Sequence, residues 1–325
     1  MDDEQPPRRR QPPAGFALRD PYPWPDLARL TRAGEAMGYE TVFLPEVGAR
    51  DTLATLAGLA GVSTALGLGT GVVPLPARTT RSLAMAAATV QERSGGRLVL
   101  GIGTGPARTG ALDRLREAVG AVRRLFAGER VATDGGPPVA LGLVPDPPPP
   151  IWIAALGPRA VALAGEVADG VLLNWCTPER VASAAEQVAD AATRAGRDPA
   201  DVTVAAYVRA CLVDDEGAAV TAAARCTGEY AASRAYAQQF AALGLGREAE
   251  LAAAAVAADR PQDVPTTLVR AVCLVGDRAA ARDRLDAYRA AGARLPVVYP
   301  IVPEGGSPAD HALATLRSLA PDTTA

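Results

Sequence analysis

No lysine occurs anywhere in the 325 residues. A Schiff-base aldolase or a lysine-anchored pyridoxal enzyme is thereby excluded, and a Walker A phosphate loop lacks its essential residue. Histidine occurs once, as His311, beyond the last expected strand. Neither a histidine-based triad nor a multi-histidine metal site can be built within one chain. The four cysteines, Cys176, Cys211, Cys226 and Cys273, have no CxxC spacing, so buried free thiols in a reducing cytoplasm are expected rather than a zinc ribbon or redox pair. Aromatic residues make up only 4% of the chain against a hydrophobic content of 49%, so alanine, leucine and valine must fill the core. A net charge of −3 without a clustered arginine face gives no footprint for nucleic acid. No apolar run approaches the length of a membrane span. The stretch MDDEQPPRRRQPPAG has no apolar segment; residues 1–14 read as a flexible tail rather than a secretory signal.

What is present is organised around SGGRLVLGIGTG, residues 94–105. Residues 78–93 carry good helix formers, with Leu83, Ala86, Ala87 and Val90 on one face at helical spacing. Ser94, Gly95 and Gly96 stop that helix, glycine supplying the left-handed C-cap. Residues 98–102 follow as an unbroken apolar run, the pattern of a strand covered on both faces. The run ends on Gly103, Thr104 and Gly105, where bare backbone can approach a flat or anionic ligand. The GLGTG of residues 67–71 lies one βα unit earlier, which predicts two consecutive strands presenting glycine-rich ends to one site.

Strands are expected at 16–19, 41–44, 66–73, 98–102, 151–155, 171–174, within 202–213, and within 295–302. Helices fall between them, the first starting near Asp26 as N-cap and another opening at Gly157 and Pro158. The proline-rich excursion at 128–150 reads as a connection, with a hairpin as one form it can take, rather than a domain boundary. Eight strands in consecutive βα units predict a closed (β/α)8 barrel in a single domain over residues 15–325. A doubly wound open sheet is weaker, because neither GLGTGVVP nor GIGTGPAR completes a GxGxxG fingerprint. The largest departure is 214–265, two alanine-rich helical stretches that a barrel places on its C-terminal face.

The signature SGGRLVLGIGTG, preceded by VVPLPARTTRSLAMAAATVQER, resembles that of the bacterial luciferase-like oxidoreductases, barrels that use reduced flavin or the deazaflavin F420. The resemblance runs from about residue 15 to residue 303. In it AALGPRAVALAGEVADGVLLN, residues 154–174, is similar to the cofactor-phosphate region of the F420-dependent branch. It implies a non-proline cis peptide at Gly71–Val72 behind the cofactor ring, with Pro74 just beyond. Glu46, Thr104, Gly105 and Thr109 fall at cofactor-contacting positions. The resemblance also implies that Gly157, Pro158, Arg159 and Ala160 receive the phosphate; the residues alone fit either free backbone N–H groups offered to an anion or a tight turn that needs glycine for sterics.

A glycine-rich mouth with few groups titrating near neutrality suits hydride transfer on a bound cofactor. Arg19, Asp20, Asn174, Tyr207, Arg209 and Tyr299 are also expected there. Asn174, Tyr207 and Tyr299 are taken as substrate-facing, and Glu46 as the catalytic candidate. Solvent, Glu46, Tyr207 and Tyr299 all stand as sources of the proton. The sequence departs from the family at two places. Val47 stands where many relatives carry a catalytic histidine, and Pro106 where F420-dependent sugar-phosphate dehydrogenases carry a glutamate. With no lysine to bind a sugar phosphate, that reaction is not expected. The expected activity is F420-dependent hydride transfer to or from a small organic substrate. The alternatives are an FMNH2-dependent monooxygenase and a catalytically silent barrel. A second copy of the chain, forming a homodimer in the cytoplasm, is the expected protein partner.

Overall fold

The computed structural model describes residues 13–19, 22–106 and 108–321. Nearly all of the expected tail, and Asp20 at the mouth, lie outside the described residues. In chain order the elements are β1 (Gly15–Ala17), α1 (Trp24–Ala36), β2 (Thr41–Leu44), α2 (Thr52–Leu59), β3 (Gly67–Thr70), β4 (Val73–Pro74), α3 (Thr80–Ser94) and β5 (Leu98–Gly103). Next come α4 (Ala111–Phe126), β6 (Ile151–Ala154), α5 (Pro158–Val167), β7 (Gly170–Leu173), α6 (Pro178–Arg194) and β8 (Thr203–Cys211). Then follow α7 (Glu216–Ala231), α8 (Arg234–Ala242), α9 (Gly246–Ala257), α10 (Thr266–Val272), β9 (Cys273–Val275), α11 (Arg278–Ala290), β10 (Leu295–Pro300) and α12 (Pro308–Ser318).

Strands β1, β2, β3, β5, β6, β7, β8 and β10 pair in parallel, and β10 meets both β1 and β8. The sheet therefore closes into the (β/α)8 barrel that the strand rhythm predicts. Alternation along β8 shows how sequence sets the two faces. Ala205 and Tyr207 join Phe43, Trp152, Leu172 and Val297 in the barrel interior. Ala206, Val208 and Ala210 point outward into the layer beneath the helices.

Helix boundaries follow local chemistry. The Thr79 hydroxyl accepts from the Ser82 amide at 3.1 Å and starts α3 two residues later than the expected position 78. Gly95 ends it in the left-handed conformation, at φ 65°. Asp26 is not an N-cap: Pro23 holds that place, Pro25 fixes the first turn, and Asp26 pairs with Arg29 inside the helix. The excursion at 128–150 holds one antiparallel bridge, Val131 to Val139, as a hairpin requires.

The segment after β8 is richer than expected. Four helices and a strand occupy it in place of two helical stretches ending at 265. Gly244, Pro261 and Pro265 punctuate an alanine-rich run that has no apolar period to betray its breaks. Strand β9 pairs with Arg209 to Cys211 on the edge of β8 that β7 leaves free beyond Ala206. The helices bury their own cluster, including Phe240, Leu268 and Val269. No helix among the described residues is long and apolar enough to cross a membrane.

Polar staples gather at the opposite end of the barrel. Asp169 accepts from the Ile151 amide and from Arg123, each at 2.7 Å, while its backbone carbonyl receives the Thr203 amide. Arg97 donates to the carbonyls of Ala60, Ser63, Leu66 and Ser94. Strand starts are thus pinned by side chains, leaving the C-terminal ends free to shape a cavity.

Candidate active site

The site begins where β3 leaves its partner. Regular pairing of β3 with β5 stops after Gly69 and Val99 and resumes only in β4, with Val73 against Ile102. Across the gap the Thr70 hydroxyl donates to the Gly101 carbonyl and accepts from the Gly101 amide, both at 2.7 Å. A Cβ on residue 101 would collide with the Thr70 carbonyl, so this approach requires glycine. Between Thr70 and Val73 the chain bulges, and the Gly71–Val72 peptide is cis, as the resemblance implies. From the far side of the barrel the Tyr207 hydroxyl donates to the Gly71 carbonyl at 2.9 Å. Burial holds that phenol well above its ordinary value of 10.0, so it keeps its proton and its hydrogen bond.

A charge cluster lies behind the bulge. Arg78 donates to Glu46 Oε2 at 2.9 Å and pairs with Asp51 Oδ1 at 2.7 Å, and the Thr52 amide also reaches Glu46 Oε2. Asp51 caps α2 through the Ala54 amide. Burial raises the Asp51 pKa, but that amide and Arg78 outweigh it, so its carboxyl lies below the ordinary value. Arg78, expected within a helix, instead joins the end of β2 to the start of α2.

On the other wall, Gly157 precedes α5 with nothing within 4 Å of where its Cβ would stand. The first turn of the helix opens there, its backbone dipole favouring an anion. Across the mouth lies an aromatic box. The Arg209 guanidinium stacks 3.6 Å above the Tyr299 ring and 5.0 Å from Trp175. Asn174 accepts from Arg209 at 3.1 Å and donates to the Tyr236 hydroxyl at 2.9 Å. Burial pushes the Tyr299 phenol up to about 12 even with Arg209 acting against it.

Together these groups enclose a cavity of about 420 Å³ at the C-terminal ends of the strands. Eleven of the fourteen site residues expected from sequence line it: Glu46, Gly71, Val72, Pro74, Thr104, Gly105, Gly157, Ala160, Asn174, Tyr207 and Tyr299. Three do not. Thr109 lines an adjoining cavity of about 750 Å³ with Thr104, Arg108 and Arg114. Pro158 and Arg159 are exposed on the first turn of α5, facing away from the lining. Val47, at the position of the missing histidine, reaches the cavity rim and is 57% exposed.

Sequence reading passed over Arg78, Tyr230 and Tyr236, and placed Arg209 at the mouth without a role. Arg78 has no local signal, since its partner Glu46 is 32 residues away. Arg209 does have one: it is the lone charge inside the apolar run VAAYVRACLV.

Comparison with known proteins agrees with this fold. The family model for luciferase-like monooxygenases matches residues 6–295. The chain is 36% identical over 211 residues to a 5,10-methylenetetrahydromethanopterin reductase of Methanolobus tindarius, covering 59% of this chain and 63% of that one. It is 33% identical over 221 residues to a protein of Mycobacterium tuberculosis described as a coenzyme F420-dependent oxidoreductase, covering 59% and 64%. The matches thus span just under two thirds of each relative. The solved F420-dependent tetrahydromethanopterin reductase from Methanopyrus kandleri superposes with a TM-score of 0.76 over 95% of this chain and 98% of its own. At 20% identity that likeness is one of fold.

Proposed function

The chain belongs to the luciferase-like monooxygenase family, and on that premise we propose that it is an oxidoreductase that binds F420 and moves a hydride between it and a small organic substrate. The observation that carries the reading is the shape and chemistry of one cavity. A glycine-lined wall, backed by the Tyr207 to Gly71 bond, faces an aromatic wall, and an open helix start lies at one side. A flat ring fits between the walls, and a phosphate fits at Gly157. Arg108 and Arg114 of the adjoining cavity would offer the acidic tail of F420 cationic partners in a chain without lysine.

When bound, reduced F420 supplies the hydride, and the residues of the chain supply position and proton. Gly71, Val72, Gly103 and Gly105 would hold the ring. Glu46 serves by holding Arg78 rather than by giving up a proton, because its carboxylate oxygen is occupied by Arg78 and the Thr52 amide. Tyr207 is likewise committed to the Gly71 carbonyl. Tyr299 also faces the cavity, and its hydrogen-bonding neighbour Arg209 is a donor only, which leaves the phenol proton free. Its phenol, protonated at neutral pH, donates to the substrate oxygen and regains a proton from solvent. Residues 15–325 acting as one domain, the homodimer and a cytoplasmic location complete the proposal.

Titration with F420 and with FMN tests it. F420 is expected to bind at least about tenfold tighter at low salt, with the gap narrowing as salt rises. FMN binding equally tightly, with oxygen-dependent turnover, replaces the proposal with a monooxygenase; binding of neither leaves a silent barrel.

A further inference from the structure

Arg209 is 2% exposed and lies inside the barrel mouth. A guanidinium so placed ordinarily pairs with a carboxylate, because an uncompensated buried charge is costly. Among the described residues no carboxylate forms an ion pair with Arg209. Its surroundings are the faces of Tyr299, Trp175, Tyr230 and Tyr207, one amide oxygen from Asn174, and no partner at Nε. Arginine stays charged in such a site. Among the described residues, then, this cation has no counter-charge.

The position of that cation is informative. Strand alternation aims Arg209 inward, in line with Ala205 and Tyr207, and register sets it beside Tyr299. Arg209, Tyr299 and Arg19 line the cavity described above and also a second one of about 500 Å³ beneath α7. The second cavity adds Arg225, Glu229 and Glu304, and Arg225 is already paired with Glu304 and Asp259. Arg209 thus stands at the junction of the two cavities.

We infer that the substrate of this site is an organic acid, its carboxylate held by Arg209 at the junction while its reacting carbon faces the glycine wall. Guanidinium and carboxylate match as a paired hydrogen-bonding fork. The flanking rings favour an apolar or aromatic body next to the acid group. The inference rests on the proposed function for the location of the reacting carbon, but not for the anion site itself.

Calorimetry with benzoate and its neutral isostere benzamide, on the protein with and without F420, tests the assignment. Benzoate is expected to bind at least about tenfold tighter than benzamide, without displacing F420. Arg209→Met should abolish that preference, and Arg209→Lys should retain part of it. Equal binding of the two probes to the unmodified protein overturns the inference. So does a preference that survives in Arg209→Met, or benzoate that competes with F420. Should Arg209→Met fail to fold, the unmodified protein and Arg209→Lys still decide. A benzoate preference in a protein that binds no F420 leaves the anion site standing and removes the hydride-transfer reading; F420 binding without the preference does the reverse.

Discussion

Gly157 offers a probe in which binding separates from folding. Its backbone sits in the extended region at φ −91°, and a Cβ there meets nothing within 4 Å. Gly157→Asp is expected to leave the melting temperature unchanged and to weaken F420 binding at least about tenfold, through repulsion of the phosphate. Unchanged affinity would move the phosphate elsewhere. Tyr207 behaves in the opposite way. Tyr207→Phe strips a buried hydrogen bond from the Gly71 carbonyl, so a loss of about 1–3 kcal/mol in denaturant stability is expected together with weaker cofactor binding. Far from the site, Glu35 gives the acid limb of stability. Burial raises its pKa, but the Ala65 amide, the Ser63 hydroxyl and the Thr64 amide outweigh it, so the folded value lies below 4.5. Its contribution is complete above pH 4.5 and is lost as pH falls through the lower folded value. Glu35→Gln should flatten stability against pH in that window, which acid titration of the unfolding midpoint reads directly.

At the scale of elements, the weak point is the crossing of α7 over α9. A Cβ on Gly228 would meet the Ala252 carbonyl at 2.8 Å and overlap the Val256 side chain. Gly228→Ala must push the helices apart, at a cost of about 1–3 kcal/mol, with faster amide exchange confined to residues 216–272. By contrast, Thr79→Ala removes only the cap on α3, about 1 kcal/mol, and a denaturant series on both variants compares them. These elements also show what was readable in advance. The barrel strands were legible because each is a short apolar run between glycine, proline and capping residues, and the glycine-rich ends of β3 and β5 announced the cavity. Alanine gives a helix but no face, so α7 to α9 merged into two stretches, and α10 lay beyond them. The three residues of β9 are too few to show a period. The charge partners of the site were hidden for another reason: Arg78 and Glu46, or Arg209 and Asn174, meet only once the barrel closes.

For the molecule as a whole, cohesion and chemistry occupy opposite ends. Asp169 and Arg97 tie strand starts together, while the cavity uses strand ends and the helices beyond β8. The cluster around Phe240 and Leu268 is separate from the barrel core, so native-state hydrogen exchange is expected to show α7 to α10 opening at lower denaturant than β5 to β8. Simultaneous opening would mean that the two clusters form one cooperative unit. The same layout has a consequence for descent. Helices α7 to α10 and strand β9 leave the barrel after β8 and return before β10 as one uninterrupted stretch, residues 216–275. A single exchange of the corresponding gene segment between two relatives would transplant the roof of the mouth, Cys226 and Tyr230 included, and leave Arg209 and the cofactor wall in the recipient. Lineages could thus keep the strand-end residues and trade the ceiling above them.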